Sequence, residues 1–169
     1  MTDQKDQMLL LKAFNNLKKK INFKLIILGK GTNRKKLENF IFENGLNDKV
    51  KIFGYKKNPF PYLHKASTFI LSSRFEGLPN VLLEAQFLKK TIISTRCPTG
   101  PEEILLNGKA GFLFDVGNVK QLQEKILFVS NKKNLHLIKR KKKIGFDSMR
   151  RFNYKKNMNN YYKLIQYYL

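Results

Sequence analysis

The stretch FEGLPNVLLE carries two carboxylates, Glu76 and Glu84, separated by seven residues. Between them Gly77, Leu78, Pro79 and Asn80 read as a turn leading into a helix that Pro79 is suited to begin. The unpaired N–H groups and positive dipole end of such a helix form an anion site, and Gly77, with no side chain, lets a pyrophosphate approach. Glu84, on the first turns of that helix, is suited to accept hydrogen bonds from a vicinal diol such as a ribose. Glu76, in the loop, is placed to face the hydroxyls of a transferred group. Two glutamates at this spacing occur by chance in most proteins, so the reading depends on the elements around them.

Those elements alternate. Residues 3–20 place Leu10, Ala13, Phe14 and Leu17 on one face of an amphipathic helix. Residues 23–28, FKLIIL, form a short apolar run closed by Gly29, as expected of a strand buried on both faces of a parallel sheet. Helical patterns follow over 34–44, 59–65, 79–88 and 119–129, with a helical turn near 102–105. Strands are expected over 50–53, 68–71, 91–94 and 111–114. Strands alternating with helices over short connections predict a single α/β domain with a doubly wound, Rossmann-like parallel sheet. This domain is expected over 1–130, with a basic helical segment over 131–169. In that segment 131–151 reads as a Lys-rich helix or connection, and 154–169 as a helix with Tyr154, Met158, Tyr161, Ile165 and Tyr168 on one face. Such a face must dock, on its own domain or on another.

The chain has 169 residues and a formal charge of +22, with 42% apolar residues, enough for a buried core and too many for a disordered tail. Of the 34 basic residues 28 are Lys and only 6 Arg, a balance that argues against sequence-specific nucleic-acid binding. Residues 131–169 hold 12 basic and 1 acidic residue, half of the net charge, a surface open to peripheral contact with an anionic membrane or to non-specific nucleic-acid binding. The single Cys97 excludes a disulfide framework and a cysteine-based zinc site, and fits a reducing cytosol. Residues 2–6 are too polar for a signal sequence, and no apolar run approaches the roughly 20 residues of a membrane span, so a cytoplasmic location is expected. His64 and His136 match no ligand spacing, and no metal site is expected. Gly29-Lys30-Gly31 lacks the third glycine of a dinucleotide fingerprint and reads as strand-to-helix geometry.

Four ordered segments resemble the donor-binding, C-terminal half of the family 4 glycosyltransferases, which have the GT-B fold. SRFEGLPNVLLEA resembles the family's E-x7-E signature, CPTGPEEIL and NGKAGFLF its next two blocks, and TDQKDQMLLLKAF the start of the domain's first helix. The resemblance implies a retaining transferase that takes a sugar from a nucleotide-diphosphate sugar to a cell-envelope polysaccharide or glycolipid, without metal or other cofactor. It implies that Glu84 binds the nucleotide ribose and that Glu76 acts at the donor sugar near the reacting carbon. The backbone amides of Gly77, Leu78 and Asn80 would hold the diphosphate, with Pro79 among the donor-binding residues and Lys5 the basic residue that neutralises the leaving group. Phe53-Gly54 falls where family members meet the nucleotide base, or is a sheet-end core position. Cys97, within the CPTGP block, is expected to be a structural thiol.

The chain also departs from the family. Members have a second domain that carries the acceptor site, and the donor domain normally opens with a strand and a Gly-Arg-Leu turn ahead of the segment that begins here with Met1. In the order 3-2-1-4-5-6 that strand lies between those at 23–28 and 68–71. The expectation is a truncated or split enzyme whose acceptor domain or partner chain lies elsewhere. The alternative is a non-catalytic nucleotide-sugar binding module or an inactive gene fragment.

Overall fold

The apolar runs bounded by glycine become strands in a computed structural model, which describes residues 1–168. Strands β1 (Leu25–Leu28), β2 (Val50–Phe53), β3 (Thr68–Leu71), β4 (Thr91–Thr95) and β5 (Phe112–Phe114) alternate with helices. The helices are α1 (Gln7–Leu17), α2 (Arg34–Glu43), α3 (Phe60–Lys65), α4 (Asn80–Phe87), α5 (Pro101–Ile104), α6 (Val119–Ser130), α7 (Leu135–Ser148) and α8 (Tyr154–Tyr168). All pairings are parallel, as short crossover helices require.

The strands form two sheets, β1 with β2 and β3-β4-β5. Among the described residues no strand joins β1 to β3. One further strand between them would make the order the doubly wound 3-2-1-4-5-6. What links the two sheets is α1. Its Leu9, Leu10, Ala13, Phe14 and Leu17 enter a core with Ile93, Phe114, Leu122 and Ile126, against which both Leu25 of β1 and Ile70 of β3 pack. Its Leu11 enters a second core with Ile27, Leu37, Ile41, Leu46 and Val50. Burying one Leu or Phe side chain contributes about 1.5–3 kcal/mol, so this helix holds the halves together by apolar contact where ladder hydrogen bonds are missing.

Three expectations are corrected. The first helix does not run through 3–20: Asp3–Lys5 is a 3-10 turn, and Asp6 adopts φ +42°, a left-handed conformation that Asp tolerates better than most residues. There its carboxylate caps α1 by accepting from the Leu9 N–H at 3.2 Å. The strand β1 is not buried on both faces; Ile26 is 47% exposed and, among the described residues, belongs to neither of the cores beside it. All five residues of β4, flanked by β3 and β5, are buried. The helix α8 does not dock on its own domain, and no residue of it is buried. Leu169, assigned to that helix from the sequence, lies outside the described residues.

Helix α7 behaves differently from α8. Ile138 joins the core of α1 and α6, Gly145 packs against Gln86 and Ala110, and Arg151 beyond the helix donates to the Glu103 and Ile104 carbonyls. Lys141 donates to the Gly111 carbonyl at 3.1 Å, and burial pushes its ammonium below the usual lysine range.

In β1 the Leu25 N–H points to β2, bonding the Lys49 carbonyl at 2.8 Å. By the alternation of a parallel ladder, the Ile26 and Leu28 amides point the other way, to the open edge. Amide hydrogen exchange followed by NMR is expected to show Ile26 and Leu28 exchanging at least about tenfold faster than Leu25 and Ile27. Equal protection would mean that this edge is covered.

Candidate active site

Ligands of doubly wound sheets sit beyond the carboxyl ends of the strands, and the residues with chemistry gather there. Three segments meet at that edge: the 3-10 turn ending at Lys5, the loop from β3 to α4, and the loop from β4 to α5. The first two are laced by backbone. Arg74 N–H donates to the Gln4 carbonyl at 2.7 Å, Gln4 Nε2 to the Phe75 carbonyl at 3.1 Å, and Ser72 Oγ to the Lys5 carbonyl at 2.8 Å. An Arg74–Asp6 ion pair at 2.9 Å adds a side-chain link.

This lacing brings Lys5 Nζ to Glu76 Oε1 at 2.7 Å, across 71 residues of sequence. The Glu76 side chain is only 8% exposed and that of Lys5 42%, so the carboxylate is fixed inside the loop while the ammonium reaches it from the rim. Glu76 Oε1 also accepts from Ser73 Oγ at 2.6 Å. The lysine uses one of its three donors here, and the other two have no partner among the described residues.

The end of β4 and the β4–α5 loop support the site from beneath. Thr95 Oγ1 donates to the Ser73 carbonyl at 2.7 Å, and Thr99 Oγ1 donates to the Glu76 carbonyl. Gly100 has φ +67°, and a Cβ there would strike the Gly77 carbonyl and the Pro79 ring. Gly77 is the opposite case, for a Cβ on it would meet nothing within 4 Å. The fold therefore needs glycine at 100 and leaves open space at 77.

Pro79 stands one position earlier than the sequence suggests, at the N-cap, and α4 begins at Asn80. The N–H groups of Gly77, Leu78 and Asn80 have no hydrogen-bond partner among the described residues, so they are three free donors at a helix N-terminus. Glu84 is half-buried on the second turn of α4, and its carboxylate has no hydrogen-bond or ion-pair partner among the described residues. It joins neither Lys5 nor Glu76 directly.

Sequence reasoning missed Ser73, Thr95, Thr99, Gly100 and the Asp6–Arg74 pair. Ser73 lies only three residues before Glu76, close enough in sequence for their side chains to meet once the loop folds. The others are brought in by tertiary contacts. Gly31 serves the geometry expected of Gly29-Lys30-Gly31: Met1 backbone lies where its Cβ would be, and the Met1 carbonyl accepts from the Asn33 N–H at 3.2 Å. Phe53 stacks at a tilt on Tyr62, with centroids 5.4 Å apart. Cys97 is buried, and burial pushes its thiol up, with the nearby Glu76 carboxylate adding to the rise and a hydrogen bond to Thr95 opposing it. No group of three His, Cys, Asp or Glu suited to a metal ion occurs among the described residues. No helix among them is long and apolar enough to cross a membrane.

A family model for "Glycosyl transferases group 1" matches residues 1–144. The chain belongs to the group 1 glycosyltransferases. An uncharacterized glycosyltransferase of Methanocaldococcus jannaschii, MJ1059, is 44% identical over 106 residues, which are 62% of this chain and 26% of that protein. The Campylobacter jejuni N-acetylgalactosamine-N,N'-diacetylbacillosaminyl-diphospho-undecaprenol 4-alpha-N-acetylgalactosaminyltransferase is 34% identical over 114 residues, 68% of this chain and 31% of that one. The chain thus spans about a quarter to a third of the length of these relatives. Among solved structures, Staphylococcus aureus TarM (G117R mutant, in complex with fondaparinux, alpha-GlcNAc-glycerol and UDP) superposes with a TM-score of 0.86 at 22% identity, covering 97% of this chain and 33% of that one. The C-terminal domain of the group 1 family protein LpcC from Francisella tularensis gives 0.74 at 24% identity, covering 88% of this chain and 80% of that one. The α/β architecture with parallel sheets is that of GT-B C-terminal domains.

The two glycines of this group 1 domain give opposite expectations. Gly100→Ala is expected to lower stability by more than about 1 kcal/mol, because the left-handed backbone is strained and the loop above must shift. Gly77→Ala is expected to leave the thermal midpoint unchanged or slightly raised. The buried thiol of Cys97 is expected to react with a disulfide reagent at pH 8 at least about tenfold slower in the native than in the denatured chain. Equal rates would contradict its burial.

Proposed function

We propose that this chain is the donor-binding half of a retaining glycosyltransferase, which transfers a sugar from a nucleotide-diphosphate sugar to a cell-envelope polysaccharide or glycolipid acceptor. The observation that carries this reading is the Lys5–Glu76 pair beside the three free amides of Gly77, Leu78 and Asn80, all at the carboxyl ends of β3 and β4. An anionic diphosphate and a polyhydroxylated sugar are what such a set of groups suits. The UDP in the TarM complex and the diphospho-undecaprenol in the Campylobacter relative's name support the same substrate classes.

In this reading the amides and the remaining Lys5 donors hold the diphosphate, Glu84 binds the ribose diol, and Glu76 accepts from a hydroxyl of the donor sugar. When the bond from the sugar's anomeric carbon to oxygen breaks, the electron pair passes to the diphosphate. The acceptor hydroxyl forms the new bond and loses its proton. Donors prearranged at the growing charge are each worth about 10² to 10³ in rate. The charge is met by protein groups alone in this scheme, with no metal or cofactor.

The acceptor site belongs to a further domain or a partner chain, and the enzyme works at the cytoplasmic face of a membrane. The 12 basic residues of 131–169 favour contact with anionic lipid there. A second reading is a non-catalytic nucleotide-sugar binding module, in which the same amides and Lys5 hold a donor without transfer.

Calorimetric titration of the chain with UDP, GDP and their sugar conjugates separates these. Binding of one donor class is expected, with Glu84→Ala weakening the bare nucleoside diphosphate about tenfold or more, as expected when hydrogen bonds to a charged group are lost. Gly77→Ala is expected to weaken it without loss of stability. A folded chain that binds none of these ligands overturns the donor-site reading. Binding with no turnover when acceptor and acceptor-domain protein are supplied favours the module.

A further inference from the structure

We propose that Ser73 is a positioning residue that fixes the plane of the Glu76 carboxylate and so sets recognition of the donor sugar. This inference rests on the reading of Glu76 as a sugar-contacting group.

Glu76 Oε1 takes two donors, Lys5 Nζ at 2.7 Å and Ser73 Oγ at 2.6 Å, and Oε2 has no partner among the described residues. A carboxylate turns easily about its last torsion, which is broad and two-fold. The lysine is a poor brake on that rotation, because its ammonium is a point charge on a flexible, half-exposed stem. Ser73 is different in each respect. It is fully buried, its hydroxyl oxygen sits on the Cβ directly attached to a backbone whose carbonyl is tied to the equally buried Thr95, and its neighbour Ser72 is tied to the Lys5 carbonyl. Two donors on one oxygen, one of them rigid, leave the other oxygen as the open acceptor.

The division of labour matters once a donor binds. Lys5 is shared between Glu76 and the diphosphate, and as negative charge grows on the leaving group its ammonium is drawn there. Ser73 stays in place, so Oε2 keeps its aim on the sugar hydroxyl.

A mere loop staple would weaken every ligand alike; a positioning residue acts on the sugar-dependent part of binding. The test is calorimetric titration of the 169-residue chain with UDP against UDP-glucose and UDP-N-acetylglucosamine, and GDP against GDP-mannose. For Ser73→Ala the affinity ratio of nucleotide sugar to nucleotide is expected to fall about five- to tenfold, in line with the net contribution of one ordinary hydrogen bond, while nucleotide affinity stays within about twofold. Ser73→Cys, similar in volume but a poor donor, is expected to behave like Ser73→Ala. Ser73→Thr, which keeps the hydroxyl, is expected to retain the wild-type ratio. The inference is overturned if Ser73→Ala leaves the ratio unchanged, or lowers nucleotide and nucleotide-sugar affinity equally, while Glu76→Gln abolishes the wild-type ratio. If Glu76→Gln itself leaves the ratio intact, the sugar-contact role of Glu76 falls, and this inference with it.

Discussion

Everything at the candidate site depends on where the β3–α4 loop is held. Its free amides and its carboxylate are useful only if the loop cannot collapse onto them, and residues 72–79 belong to no helix or strand. The support is a set of hydrogen bonds with the 3-10 turn at Gln4 and Lys5 on one side, and with Thr95 at the end of β4 and Thr99 beyond it on the other. Hydrogen bonds of this kind contribute only about 1 kcal/mol each. Their value here is directional, since each donor fixes one atom of the loop and together they leave the ligand-facing groups unpaired.

The Lys5–Glu76 pair illustrates how stability and function divide within that arrangement. A buried carboxylate without a partner would be costly, and Lys5 and Ser73 relieve that cost at one oxygen. The same two contacts leave unsatisfied capacity at the other oxygen and on the ammonium. The Asp6 carboxylate, by contrast, is used up locally in capping α1 and pairing with Arg74, so it secures the turn that carries Lys5 and offers nothing to a ligand.

Much of this was legible in the sequence where the signal is local. The β2 and β3 runs, VKIF and TFIL, are short, β-branched and flanked by polar or glycine residues, and they fold as strands over the expected residues. Glu76, Gly77, Asn80 and Glu84 could be placed on loop and helix because Gly and Pro punctuate that stretch. What was not legible depends on neighbours. Periodicity shows that LIIL is apolar but not whether something covers both sides of it, so the exposure of Ile26 came as a correction. The break at Asp6 was hidden because Asp fits both a helix start and a left-handed turn. The apolar stripe of α8 was correctly seen as amphipathic, yet amphipathicity names no partner, and the helix lies exposed. Thr95, Thr99 and Gly100 gain their roles only through tertiary contact.

The outer sheet edges give the formal charge of +22 a second meaning. Edge strands such as β2 and β5 are templates on which strands of other copies could add. Like charge distributed over the surface opposes that encounter before any strand can pair, through repulsion acting across a Debye length of about 8 Å at physiological ionic strength. The lysine coat therefore serves as colloidal protection for exposed strand edges, a service that fades as added salt screens it.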